Sequence, residues 1–179
     1  WWDTPVHNLD RVEFDVIASA PTRVTALLTG EMDMIQAVPP HDMARIAATP
    51  SLKLWRTPEL RTMYLAFNLA REELASSDIK GRNPFQDVRV REAVALAIDD
   101  PAITTRVMLG LGRPTGMMWG PGVNGYDPAQ DRPVKYDTAK AKQLLAEAGY
   151  PAGFTVTLDC TNDRYLMDEH VCTAIAGML

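Results

Sequence analysis

The sequence predicts an α/β fold arranged in two lobes, and three stretches predict it. Between Val12 and Ile35 a strand pattern, a helix pattern and a second strand pattern succeed one another. That is one α/β step, with both strands expected in one sheet. An almost continuous apolar run, Thr62-Met63-Tyr64-Leu65-Ala66-Phe67-Asn68, then ends at a polar connector. Beyond the connector a capped amphipathic helix opens at Asp87. The part before the run reads as short α/β units, and the part after it as a helical region with one last strand. The run is where the chain passes from one lobe to the other.

Each element has a local reason. Val12-Glu13-Phe14-Asp15-Val16 alternates apolar and polar residues, the mark of a strand with one wet face. Ser19-Ala20-Pro21 starts a helix, because proline in the first turn lacks an N–H that the helix would not use. Val24, Leu27 and Leu28 form its apolar stripe, and Gly30 suits the left-handed residue that ends it. Glu31–Ile35 is a short strand, and a helix over 41–48 comes next, with Met43, Ile46 and Ala47 inward and Pro50 closing it. Leu52-Lys53-Leu54-Trp55 reads as an edge strand. The run over 62–68 has so few polar residues that burial on both faces is expected.

Asp87 is the expected cap of the next helix, whose stripe is Ala93, Val94, Ala97 and Ile98. Asp99-Asp100-Pro101 ends it and opens another, with Asp100 as cap and with Ile103, Val107 and Met108 inward. Gly112–Pro133 shows no periodicity, so a loop of about 20 residues is expected, and loops that long are often functional. Asp137 caps a further helix with Ala141, Leu144, Leu145 and Ala148 on its apolar side and Gly149 at its end. Phe154–Leu158 alternates strictly, as a strand does. From Tyr165 the pattern is helical, with Leu166, Val171, Ile175 and Leu179 as the core stripe.

The bulk composition bounds the function. At 179 residues and 46% hydrophobic the chain can build one ordinary domain or two small lobes. A net charge of -5 and the lack of a basic tract argue against nucleic acid as a partner. No run of about 18 apolar residues occurs, so no helical membrane span is expected. Trp1-Trp2 open the chain without a Met, and Ala176–Leu179 end it inside a helical pattern, which reads as a piece of a longer protein. Cys160 and Cys172 are an inert pair or, in an oxidising compartment, a disulfide.

Little here supports a reaction. His7, His41 and His170 are scattered and fit surface or local hydrogen bonding better than metal. No G-x-S-x-G elbow and no P-loop occur. Glu72-Glu73, Asp99-Asp100 and Asp168-Glu169 are paired carboxylates, but solvated faces and helix ends account for them. No catalytic residue, cofactor or metal is expected. What stands out is a cluster at the entrance to the crossing run: Trp55, Glu59, Arg61 and Tyr64. Arg61 is the last charge before the apolar run. It is a surface arginine at a strand entrance or a bidentate grip for a carboxylate. Trp119, in the long loop, stacks on a ligand or pins the loop.

Several blocks carry a family resemblance, in fixed order. They are Leu9–Phe14; Arg23-Val24-Thr25-Ala26-Leu27-Leu28-Thr29-Gly30-Glu31-Met32-Asp33; Tyr64–Asn68 with Phe85-Gln86-Asp87-Val88-Arg89-Val90-Arg91-Glu92-Ala93; and Tyr136–Tyr150 with Gly153–Leu158 after it. Over essentially the whole chain the sequence resembles the extracellular solute-binding proteins of ABC importers, family 5, the dipeptide/oligopeptide/nickel-binding type. The resemblance implies a two-lobed, type II periplasmic-binding-protein-like fold of which this chain is about the middle third. It places residues 1–60 in the first lobe, 61–67 in the crossing or hinge strand, and 68–179 in the second lobe. It implies ligand contacts at Gln36, Glu59, Arg61 and Tyr64, with Trp119 added from the loop. The mechanism it implies is capture of a peptide-like or small polar solute by closure, then delivery to a membrane permease. The full-length protein would be a periplasmic or extracellular monomer. A ligand-binding receptor or sensor, or a protein-interaction domain without a transport role, is the alternative, and the piece by itself binds nothing in a third reading.

Overall fold

A computed structural model describes residues 2, 4, 6, 8–162 and 164–179; His7 lies outside the described residues. The chain forms two compact units, Trp1–Thr57 and Pro58–Leu179.

In the first unit, helix α1 spans Ala20–Thr29. The Ser19 hydroxyl accepts from the Thr22 N–H at 3.4 Å, and Pro21 sits in the first turn. Gly30, at φ 78°, donates its N–H back into the last turn, as a left-handed C-terminal residue does. The predicted 41–48 helix divides into a 3₁₀ turn, Pro40–Asp42, and a short helix α2, Met43–Ala47. Val24, Leu27 and Ile46 form the core, with Leu28, Ile35, Val38, Leu52 and Leu54 packed on it. Leu52 and Leu54 face inward while Lys53 and Trp55 face out, with the Lys53 ammonium 4.1 Å from the Trp55 ring centre.

The second unit is built on helix α3, Val88–Ala97, against helix α5, Thr138–Glu147. Both start on aspartate caps: Asp87 accepts from the Arg89 N–H at 2.9 Å, and Asp137 from the Lys140 N–H at 2.9 Å. The side-chain hydrogen bond from Arg89 holds the Asp87 carboxyl at about 2, below the ordinary carboxylate range. Ala93 and Ala141 are buried at the contact, where small side chains let the helices close up. Helix α4, Asp100–Ala102, runs into a π-helical turn, Ile103–Val107, and helix α6 spans Asp168–Met178. Ile98, Ile103 and Val171 form one core between them. A second core is aromatic: Phe85 lies 4.9 Å from Phe67 and 5.7 Å from Phe154, and Tyr150 lies 5.1 Å from Phe154, centre to centre.

Several expectations need correction. Among the described residues none of the predicted strands (12–16, 31–35, 52–55, 62–68, 154–158) forms a ladder; the pairing is one antiparallel bridge, Ser77 to Val156. An extended run becomes a strand only when a neighbour takes up its N–H and C=O groups, and among the described residues only 154–158 bonds such a neighbour, at Ser76–Asp78. Val12, Phe14 and Val16 are therefore all exposed, and no sheet joins 12–16 to 31–35. The run over 62–68 is covered on one side only. Leu65 and Phe67 pack on the cores, while Met63 and Tyr64 are exposed. The cap of α4 is Asp99, not Asp100: the Asp99 carboxylate accepts from the Ala102 N–H at 2.9 Å, one residue earlier than proline placement implied. Burial, reinforced by Asp99, raises the Asp100 pKa. Helix α6 begins at Asp168 rather than Tyr165, which leaves Leu166 outside it and exposed, and Leu179, past its last residue, is exposed rather than core.

Candidate functional site

The head of the second unit carries Glu59, Arg61 and Tyr64 of the predicted cluster, while Trp55 belongs to the first unit. Pro58 restricts the backbone there, and the Glu59 and Arg61 side chains come next, two residues apart. The Arg61 Nε donates to the Glu59 carboxylate at 2.9 Å, with both side chains more than half exposed. A pair this exposed contributes little stability. The far end of the run is fixed by Asn83, which is buried and fully satisfied. Its amide donates to the Asn68 and Arg71 carbonyls at 2.7 and 2.9 Å, and its oxygen accepts from the Phe85 N–H at 3.0 Å.

A second segment meets this cluster. The Arg61 guanidinium lies 5.7 Å from the Tyr165 ring centre, and the Arg164 guanidinium lies 5.2 Å from the same ring. Both are within cation–π range. The loop that carries Tyr165 is held twice. Cys160 and Cys172 are joined in a disulfide with their Cα atoms 6.3 Å apart. One oxygen of the buried Asp168 carboxylate accepts from the Arg164 and Tyr165 N–H groups at 3.1 and 3.0 Å, and the other from the Glu169 N–H at 2.9 Å. Burial pushes the Asp168 carboxyl up, but the hydrogen bonds from Tyr165, Thr161, Arg164 and Glu169 outweigh it and hold it at about 2.

The long loop is closed at its neck by another carboxylate. One oxygen of Asp131 accepts from the Thr115 hydroxyl at 2.7 Å and the Gly116 N–H at 2.8 Å. The other accepts from the Tyr126 hydroxyl at 2.9 Å and the Arg113 guanidinium at 2.8 Å. The Thr115 and Gly116 bonds, then that of Arg113, hold the Asp131 carboxyl far below the usual range. Gly116 has no room for a side chain, since an added Cβ would run into the Arg132 backbone. Gly116→Ala is expected to open the neck at a cost of about 1–3 kcal/mol. Chymotrypsin cleavage after Tyr126, whose hydroxyl is held at the same neck by Asp131, reads it out, and a variant as resistant as the parent would contradict the close approach.

The predicted residues are placed unequally. Glu59 and Arg61 come together. Tyr64, of opposite parity to Leu65 and Phe67, is 65% exposed. Trp119 is half-exposed, and its indole N–H donates to the Gly125 carbonyl at 3.2 Å, which pins the loop on itself. The same loop reaches the Pro58–Asn68 run at Gly122, where an added Cβ would lie 4.0 Å from Leu60. Gln36 belongs to the first unit, exposed beside Ala37, whose φ is 54°. Tyr165, Arg164 and the Asp131 cluster were missed. For Tyr165 the available signal was an Arg-Tyr pair bracketed by the two cysteines.

Other features add no chemistry. His41 bonds its neighbour Asp42 at 3.2 Å, and His170 lines an open, mostly apolar depression of about 450 Å³ with Val107, Leu109, Met167 and Ala174. No group of three or more His, Cys, Asp or Glu side chains fit to hold a metal occurs among the described residues.

Comparison with known proteins agrees with the resemblance. Residues 1–179 match the bacterial extracellular solute-binding proteins, family 5 (middle). Heme-binding protein A of Haemophilus influenzae is 37% identical over 147 residues, 82% of this chain and 24% of that protein. Glutathione-binding protein GsiB of Escherichia coli O1:K1 / APEC is 29% identical over 158 residues, 88% of this chain and 28% of that protein. The chain thus spans about a quarter of the length of these curated relatives, at 24% and 28%. Among solved structures, the ABC transporter-associated periplasmic binding protein DppA from Helicobacter pylori, in complex with peptide STSA, aligns at a TM-score of 0.62 and 25% identity, over 76% of this chain and 24% of that one. The fold is the α/β periplasmic-binding-protein type. This chain belongs to the bacterial extracellular solute-binding proteins, family 5.

Proposed function

We propose that the whole protein is the extracytoplasmic solute-binding component of an ABC importer. It captures a peptide-like or other small polar solute by closing two lobes on it, and the closed form docks on a membrane permease. In this reading residues 1–60 belong to one lobe, 61–67 to the hinge and 68–179 to the other lobe. The protein works as a periplasmic or extracellular monomer, associated with the membrane through its transporter. Closure is driven by the difference in affinity between closed and open forms. Gln36, Glu59, Arg61, Tyr64 and Trp119 contact the solute, and Arg61 pairs with a carboxylate on it.

The observation that carries the reading is the family match over residues 1–179. The solutes named for the relatives, heme, glutathione and the peptide STSA, are chemically unlike, yet each carries carboxylate groups. The exposed Arg61 guanidinium, engaged by Glu59 through Nε, fits that shared feature.

The test starts with purified full-length protein. Mass spectrometry of the denatured sample identifies any carried solute, and a thermal-shift screen covers peptides, sugars, opines and nickel. A solute that binds only the folded form raises the melting temperature. With the solute in hand, Arg61→Ala is expected to weaken binding by about 10- to 100-fold, the worth of a hydrogen bond to a charged group. Unchanged affinity on calorimetry would remove Arg61 from the site. No shift with any class, and no carried solute, would overturn the binding function itself.

A further inference from the structure

We infer that Asn124 is a site of spontaneous deamidation, through a cyclic imide formed with the Gly125 nitrogen, and that this modification releases Trp119 from its anchor in the loop. The change is in the covalent chain itself and is the same whichever solute the protein carries.

The pair stands in a turn that requires its glycine. The Tyr126 N–H donates to the Val123 carbonyl at 3.1 Å, which closes a turn with Asn124 and Gly125 at its centre. Gly125 has a φ of 89°, a conformation that residues with a side chain rarely adopt. With no side chain there the Gly125 nitrogen is unhindered, and even an added Cβ would meet nothing within 4 Å. Both residues are exposed. Among the described residues, neither the Asn124 side-chain amide nor the Gly125 N–H has a hydrogen-bond partner. No bond has to break before the two approach. Asn8, Asn68, Asn83 and Asn162 lack this setting. Leucine follows Asn8 and Asn68, aspartate follows Asn162, and proline, which has no N–H to react, follows Asn83. The Asn68 side-chain oxygen is also engaged, by the Ala70 and Arg71 N–H groups at 3.2 and 3.4 Å.

Asparagine is among the thermolabile residues, and the chemistry needs only water and a solvent base. The base takes the Gly125 amide proton, and the nitrogen attacks the Asn124 side-chain carbonyl carbon. A new N–C bond forms, the bond from that carbon to Nδ2 breaks, and ammonia leaves with a proton returned by the solvent. Water then opens the imide ring at either carbonyl, so that position 124 becomes aspartyl or isoaspartyl. Nothing is oxidised or reduced. Either product carries a new negative charge, and the isoaspartyl form routes the backbone through one extra methylene. That methylene displaces the Gly125 carbonyl, which accepts from the Trp119 indole N–H at 3.2 Å. A hydrogen bond of this length tolerates a shift of only a few tenths of an ångström, so Trp119 comes free. The neck at Asp131 lies outside the turn and stays closed, which confines the change to the loop.

The test keeps full-length protein in warm, mildly alkaline buffer and follows two tryptic fragments by mass spectrometry. Residues 107–135 stay in one piece, because prolines follow Arg113 and Arg132, and Asn124 is their one asparagine. Residues 62–71 contain Asn68 and serve as the control inside the same chain. The 107–135 fragment is expected to gain the mass of an NH replaced by O at least about tenfold faster than the control, the rate worth of the bonds that restrain Asn68. It should also accept methyl groups from protein isoaspartyl methyltransferase. Asn124→Gln is expected to remove both signals, because its longer side chain would have to close a larger ring. Chymotrypsin cleavage after Trp119 should rise at least about threefold in the aged parent, the worth of one lost hydrogen bond, and stay constant in aged Asn124→Gln. Equal rates for the two fragments overturn the site. A modified 107–135 fragment with unchanged cleavage after Trp119 overturns the release of Trp119. Both comparisons are complete within the parent, fresh against aged, so they stand even where the variant fails to fold.

Discussion

Replacing Phe85 with alanine is expected to cost the protein about 3–5 kcal/mol, the range for removing a buried phenylalanine. Phe85 joins parts of the second unit that are far apart in sequence. It packs tilted at 4.9 Å on Phe67, at the end of the 62–68 run, and edge-on at 5.7 Å on Phe154, in the segment that bridges to Ser77. Its own backbone is also fixed. The N–H donates to Asn83 at 3.0 Å, and the carbonyl accepts from the Arg91 guanidinium at 2.6 Å. The surroundings therefore cannot collapse into the space a truncated side chain would leave, which puts the cost in that range rather than below it. Phe85→Leu keeps most of the volume and should cost under about 1.5 kcal/mol. Urea unfolding of the full-length protein, with both variants beside the parent, measures the difference. A loss under about 1 kcal/mol for the alanine variant would mean that Phe67, Tyr150 and Phe154 hold together without it.

The second large effect lies at the disulfide. Cys160 and Cys172 are 12 residues apart, and closing a loop of that size restricts the unfolded chain by about 3 kcal/mol. Reductant should lower the urea midpoint of the parent to that of the double variant Cys160→Ser/Cys172→Ser, and leave the variant where it was. Two titratable thiols in unreduced parent protein, or a midpoint indifferent to reductant, would contradict the bond. The loss should be felt first around Tyr165, because the bond brackets the segment that carries it.

The helices were legible in the sequence because what defines them is local. Ser19 and Gly30 bracket α1, Asp87 opens α3, Asp137 opens α5, and the apolar spacing shows which faces turn inward. The strands were not legible in the same sense. Alternation at Leu52–Trp55 and Phe154–Leu158 correctly foretold which side chains face in and which face out. Alternation says nothing about what lies alongside, and pairing is decided there. The candidate site divides in the same way. Glu59 and Arg61 are near neighbours, so their meeting could be read directly. The contact of Arg61 with Tyr165 depends on a fold that returns α6 to the head of the unit, and no local pattern encodes that. The Asp131 cluster lies in a stretch without periodicity, where composition marks a loop but not its closure.

That closure bears on how such a protein can diversify. Bonds from Thr115 and Gly116 to Asp131 tie the two sides of the loop together at 2.7 and 2.8 Å, so the stretch from Met117 to Gln130 hangs from a fixed base. Lengthening a flexible loop raises its closure cost only slowly, by about 0.6 kcal/mol per doubling. Substitutions and insertions between Met117 and Gln130 can therefore accumulate without disturbing the neck. Selection would be free to reshape Trp119 and its neighbours while Gly116 and Asp131 stay constant, and this stretch is where related sequences should differ most.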